Sequence, residues 1–304
     1  QNISKFDTNE IYIISTDLNR TIESAYSQMT GFFPPGTGQV LTQKQIENAM
    51  PPFINPFNFT NELQRLGENV LPDLSNVFPI DNFNRKDKDF DLQFHESCKG
   101  VDDIWKLRNE NFIFKNFTEK LQNKYGPQIY NIIQKNKTEF DLNNYDNIFN
   151  LFDSFMSGYT DGRNFPQILR NNITIEEYKS LAEEFLYIDI YHFAVANNYI
   201  GLMANSPLMK KMLEKMDTRI SLDTHNNGDK YSEKNPKMYI ISAHDTNIGA
   251  FMVFMDEIFK TGKLLAPTYA ASVYLELESD SEKIGDEKWN VNFIFNDQNI
   301  FSIN

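Results

Sequence analysis

Apolar positions change their period along the chain, and each change marks an element. Ile11-Tyr12-Ile13-Ile14 is a short β-rich run, and Ser15-Thr16-Asp17 after it supplies helix-start chemistry. Leu18, Ile22, Ala25 and Met29 then recur at i, i+4, i+7 and i+11, one face of a helix that Pro34-Pro35 stops. Residues 36–80 are loop-rich, with Val77-Phe78-Pro79-Ile80 predicted as an edge strand because a proline sits inside it. The polar run 81–91 reads as a surface connection, and 101–235 as mostly helical. Within the latter, Tyr178, Leu181, Phe185, Ile188, His192, Val195, Tyr199 and Leu202 alternate at three and four, which predicts a long buried seam over 175–203. Residues 226–236 form a polar, turn-rich linker. Met238-Tyr239-Ile240-Ile241 is again a buried-strand run, followed by Ile248, Phe251, Met252 and Met255 at helical spacing. Val273, Leu275 and Leu277 alternate with Tyr274, Glu276 and Glu278, a half-buried strand. Trp289, Val291, Phe293 and Phe295 repeat that alternation, and the polar turn Asn296-Asp297-Gln298 predicts a hairpin into Ile300-Phe301.

The order of elements predicts an α/β fold: a mixed, mostly parallel sheet flanked by helices, with a helical cap insertion. Residues 1–80 and 236–304 would build the sheet domain, and 81–235 the mainly helical cap. Composition narrows the function classes. A net charge of −13 and a pI near 4.8 disfavour nucleic acid or an anionic membrane as the main partner, since both would be repelled. The single cysteine, Cys98, excludes a disulfide within the chain and any cysteine-based metal cluster. No uncharged apolar run approaches the roughly 20 residues of a spanning helix, so no membrane span is expected. Gln1 to Glu10 lack a basic start followed by an apolar stretch, so no signal peptide is expected there.

Candidate chemistry concentrates at two segments of one design. Ile11–Asp17 and Met238–Asp245 are each an apolar strand, a serine and an aspartate opening a helix. Ligands of open α/β sheets bind at the carboxyl ends of strands, and a helix N-terminus there favours an anion such as phosphate. If the two strands are neighbours, Ser15, Thr16 and Asp17 line one crevice with His244 and Asp245. The plainer account makes both aspartates N-caps, each worth about 1 kcal/mol. That account is preferred for Asp17. For His244-Asp245 function is preferred, because an imidazole beside a carboxylate offers a cation, an acid and a base.

These residues carry a resemblance. Tyr12 to Thr21, with Ser24-Ala25 and Phe33-Pro34-Pro35, resembles the "RSTDxxRT…SA…FPP" block of histidine acid phosphatases, of the phosphoglycerate-mutase-like superfamily. Ile241-Ser242-Ala243-His244-Asp245-Thr246 resembles their "SAHDT" motif, and Tyr269-Ala270-Ala271-Ser272 is similar to their "YAS" segment. The resemblance implies an α/β domain with a helical cap and hydrolysis of phosphate monoesters through a phosphohistidine. It implies that His244 contacts the phosphate and Asp245 is the acid. It implies no cofactor, a small phosphomonoester or other anion as partner, and a secreted, lysosomal or other endomembrane-lumen location. Six Asn-x-Ser/Thr acceptors, at Asn2, Asn19, Asn58, Asn116, Asn136 and Asn172, permit that location. The tail resembles that of the family, ending before its usual cysteine, which would leave Cys98 without its counterpart's partner.

Two departures from the family pattern follow. The family's nucleophile sits in an Arg-His-Gly-x-Arg-x-Pro motif, and none of His95, His192, His225 and His244 follows an arginine. Ile14 stands where the family has the phosphate-binding arginine of "RSTD", and an apolar side chain leaves phosphate charge uncompensated. Arg20 is close in sequence but falls on the first helical turn, where an ion pair with Asp17 or Glu23 is the expected job. The expectation is a chain inactive as given, with a non-catalytic binding or structural role on the same scaffold as the alternative. Other candidates are weak. His192 with Asp189 lies on the apolar seam, where a core histidine is the better account than a metal ligand. His95, Glu96 and Cys98 have irregular spacing for zinc. His225 is a loop residue, and the adjacent pairs Glu176-Glu177 and Glu183-Glu184 point apart on a helix rather than towards one sugar. No metal site is expected.

Overall fold

The computed structural model describes residues 5–49, 67–82, 91–92, 100, 103, 107–165, 173–189, 198–224, 236–260 and 267–303. The chain divides into two units, Gln1–Lys88 with Asp217–Ala243, and Asp89–Met216 with His244–Asn304.

In the first unit β1 (Ile11–Ser15) is central, between β2 (Asp81–Asn82) and β3 (Met238–Ser242), and both pairings are parallel. β1 alternates buried and half-buried, so Ile11, Ile13 and Ser15 face the core while Tyr12 and Ile14 share the other face. α1 (Asn19–Phe32) buries Thr21, Ala25 and Met29, the stripe that the helical spacing predicts, and a short helix, α2 (Gln43–Ala49), follows. Phe6 closes the core edge-on against Phe33 and Phe78, with ring centroids 5.7 and 5.0 Å away. The predicted edge strand at Val77–Ile80 is displaced. Pro79 has no N–H to give a ladder, and pairing starts only at Asp81, opposite Ile14.

Gly36 and Gly38 turn the loop after α1 against Leu74, whose carbonyl accepts from Gly38 N–H at 2.7 Å. A Cβ on Gly38 would stand 2.4 Å from that carbonyl oxygen. Gly38→Ala is therefore expected to lower the unfolding free energy by about 1–3 kcal/mol, seen as a lower urea midpoint.

The second unit has two cores. α3 (Phe112–Ile133), α4 (Tyr145–Thr160) and α5 (Ile175–Ile188) enclose one, rich in aromatic rings. Their starts are written in sequence. Asn111 and Asn144 accept backbone N–H groups of the first turns, and Thr174 forms a capping box with Glu177. The predicted seam is realised in α5, which buries Tyr178, Leu181, Phe185 and Ile188. Its continuation at His192 and Val195 lies outside the described residues, and α6 (Asn198–Thr224) follows.

The other core joins α7 (Asp245–Phe259) to an antiparallel sheet of β4 (Val273–Ser279), β5 (Trp289–Phe295) and β6 (Gln298–Ile303), through Phe251, Met252, Met255, Phe293 and Phe295. The predicted hairpin closes through Asn296 and Asp297, both at positive φ, as a two-residue type I′ turn requires. The fold is α/β. Among the described residues its strands fall into two sheets, one parallel and one antiparallel.

Candidate functional site

Parallel pairing brings the carboxyl ends of β1 and β3 together in strict register, Ile14 opposite Ile241 and Ser15 opposite Ser242. Beyond them Thr16 N–H donates to Ser242 O at 3.2 Å. Ser15 and Thr16 are fully buried, and their hydroxyls serve the turn itself. Ser15 Oγ donates to Thr16 O at 3.0 Å, and the Thr16 and Thr21 hydroxyls share a hydrogen bond of 2.7 Å. Ser242 Oγ donates to Thr21 O at 2.7 Å, which ties the end of β3 to the first turn of α1. Each polar group in this web is satisfied within the protein, as burial demands.

Asp17 does not cap α1. Leu18 holds the N-cap position without a side-chain bond, and Thr21 Oγ1 donates to Leu18 O at 2.9 Å. Asp17 is half-buried one residue before the cap, and Arg20 is exposed on the first turn. Ile14 is half-buried on the face of Tyr12, whose ring meets Tyr239 edge-on at 5.9 Å.

In the second unit His244 is the N-cap of α7 and Asp245 its first helical residue. A carboxylate there faces the positive end of the helix dipole. Asp245 is exposed, and its Oδ1 accepts Thr246 N–H at 2.8 Å. Asn247 fixes the backbone beneath: its Oδ1 accepts His244 N–H at 3.1 Å, and its Nδ2 donates to the buried Leu92 carbonyl at 2.9 Å.

Within the same unit a second carboxyl, that of Asp189, is acted on by the charge of Asp245. Asp189 follows α5, and its Oδ1 accepts the Tyr145 phenol. Burial pushes the Asp189 carboxyl up to about 7, the charge of Asp245 pushes the same way, and Arg108 opposes both. The Arg108 guanidinium lies 4.1 Å from the Tyr145 ring centroid and reaches Asp146 Oδ1 at 2.6 Å.

A model of the histidine phosphatase superfamily (branch 2) matches residues 2–296. The chain belongs to that superfamily. No curated protein matches it. The superfamily match spans both strand-end motifs, with His244 and Asp245 inside it.

Other carboxylates singled out in the sequence have structural work. Glu177 belongs to the Thr174 capping box, Glu183 pairs with Lys179 at 3.3 Å, and Glu184 with Lys120 at 2.7 Å. His95, Glu96, Cys98, His192 and His225 lie outside the described residues. Among the described residues no group of three or more His, Cys, Asp or Glu is placed to hold a metal ion, and no helix is long and apolar enough to cross a membrane. Sequence reasoning missed Asn247 as the brace of the turn, and weighed Asp189 only as a metal ligand beside His192. An asparagine three residues after an N-cap was a usable signal for Asn247.

Proposed function

We propose that the chemistry of this protein is that of phosphate monoesters, with His244 contacting the phosphate and Asp245 as proton donor to the leaving alcohol. Ile14, Ser15 and Thr16 are the corresponding phosphate-side positions on β1, and Asp17 and Arg20 support their turn. One observation carries the reading. The parallel β1–β3 register puts the ends of both motif strands side by side at one edge of the sheet, where α/β folds place their ligands. A secreted, lysosomal or other endomembrane-lumen location goes with it, supported by Asn136, a glycan acceptor exposed in a loop after α3.

The catalytic set among these 304 residues is incomplete, with no Arg-His-Gly and with Ile14 at a position that calls for a cation. Losing one such donor typically lowers rate about 10²–10³-fold. p-Nitrophenyl phosphate is therefore expected not to be turned over at mildly acidic pH by this polypeptide. Turnover that disappears in both His244→Ala and Asp245→Asn would overturn the inactive assignment and keep the site. The second reading, a scaffold that binds without catalysis, is favoured by the apolar Ile14 and by hydroxyls already committed within the turn. Inorganic phosphate bound without turnover, and released in His244→Ala, would support it.

A further inference from the structure

The fold treats the six Asn-x-Ser/Thr acceptors unequally. Asn2, Asn58 and Asn172 lie outside the described residues. Asn19 opens α1, and Asn116 stands within α3. Two residues along a helix is a rotation of about 200°, so each asparagine and its threonine point to opposite sides. Both threonines are turned inward. Thr21 and Thr118 are 4 % and 2 % exposed, and their hydroxyls donate to Leu18 O and Lys115 O at 2.9 and 3.1 Å. Asn136 is presented otherwise. It lies past the end of α3, where Gln134 at positive φ stops the helix, and Asn136, Lys137 and Thr138 are all exposed. Asn136 Oδ1 accepts Thr138 N–H at 2.9 Å, the Thr138 hydroxyl at 2.5 Å and Glu139 N–H at 3.2 Å. The Glu139 carboxylate accepts Asn136 N–H at 3.0 Å, and Phe140 and Leu142 anchor the turn in the aromatic core. Three donors on one oxygen fix the side chain and draw electron density from its amide, while Nδ2 donates to none of the described residues.

We propose that the folded protein presents Asn136 as the acceptor of an N-linked glycan, and that α1 and α3 close Asn19 and Asn116 to the same modification. The donor is an oligosaccharide carried on a lipid diphosphate, and its use in the cell rests on the endomembrane-lumen reading above. Nδ2 attacks the anomeric carbon, so that a nitrogen–carbon bond forms and the carbon–oxygen bond to the diphosphate breaks. The diphosphate leaves with the electron pair, and one Nδ2 proton passes to a base of the transferase. A transferase reads the asparagine together with the hydroxyl two residues on. Of Asn19, Asn116 and Asn136, only Asn136 has that hydroxyl exposed and beside it.

The test incubates the whole folded chain, made without glycans, with an N-glycosyltransferase of this specificity and its sugar donor, and maps modified peptides by mass spectrometry. Asn136 is expected to be modified on the order of a hundredfold faster than Asn19 or Asn116, which must wait for local opening of a helix. Synthetic peptides spanning 15–25, 112–122 and 132–142 are too short to hold a helix alone, and should react within about tenfold of one another. Thr138→Ser should keep the modification, and Thr138→Ala, at an exposed position, should lose it. A bare Asn136 in the folded chain, or Asn19 and Asn116 modified there as fast as Asn136, overturns the proposal. Failure of the lumen reading looks different: Asn136 is modified in this assay, which upholds the acceptor, but carries no sugar in the protein taken from its own cells.

Discussion

Phe185→Ala is expected to lower the unfolding free energy by about 3–5 kcal/mol. Phe185 is fully buried in α5 and sits among four rings: Phe114, Phe117, Tyr145 and Phe152, with centroids 6.5, 5.9, 5.6 and 5.7 Å away. Truncation removes its transfer free energy and leaves a cavity that three rigid helices cannot close. Each aromatic pair lost adds about 0.5–1.5 kcal/mol beyond area. A marginally stable domain has about 5–15 kcal/mol in total, so much of the reserve goes. Urea unfolding of parent and variant measures the difference, and Phe185→Leu, which fills most of the volume, should lose clearly less. A loss below about 1 kcal/mol for the alanine would mean that the helices do not close on this ring.

The helical core was legible because period carries it. Tyr178, Leu181, Phe185 and Ile188 alternate at three and four, and only a helix puts such positions on one face. β1, β3 and the β5–β6 hairpin were legible for the same reason, through apolar runs and a polar turn. β2 was not. It is two exposed polar residues, Asp81 and Asn82, with no apolar side chain to mark a strand, while the apolar Val77–Ile80 beside it imitated one. The local setting of His244 and Asp245, the N-cap and first residue of α7, was legible because a strand end and a helix start meet there in sequence. The grouping of Asp189 with Tyr145 left no trace, since a hydrogen bond across 44 positions has no period. Leu18 in place of Asp17 at the α1 cap is a smaller instance: the chain enters the helix one residue later than the aspartate suggests, and no side chain caps it.

Asp189→Asn is expected to reverse its effect on stability with pH, and the sign follows from burial. The folded chain raises this carboxyl from 3.8 to about 7, so it keeps a proton that the unfolded chain releases between those values. Stability is therefore full below about pH 4, falls as pH rises towards 7, and is level above. The total loss from this group is on the order of 4 kcal/mol. Asparagine cannot ionise, and its side-chain oxygen still accepts the Tyr145 phenol. At about pH 4 the variant should match the parent or fall slightly below it, because its amide N–H groups need partners that the acid did not. At about pH 8 it should be the more stable by several kcal/mol, having no carboxylate to hold out of water. Urea midpoints of parent and variant across that interval give the curve. A difference that stays constant from acid to base would mean that the Asp189 carboxyl ionises in the folded protein as freely as in the unfolded chain. A difference that grows with pH and levels off near 7 would mean that burial withholds ionisation from Asp189 until neutral pH.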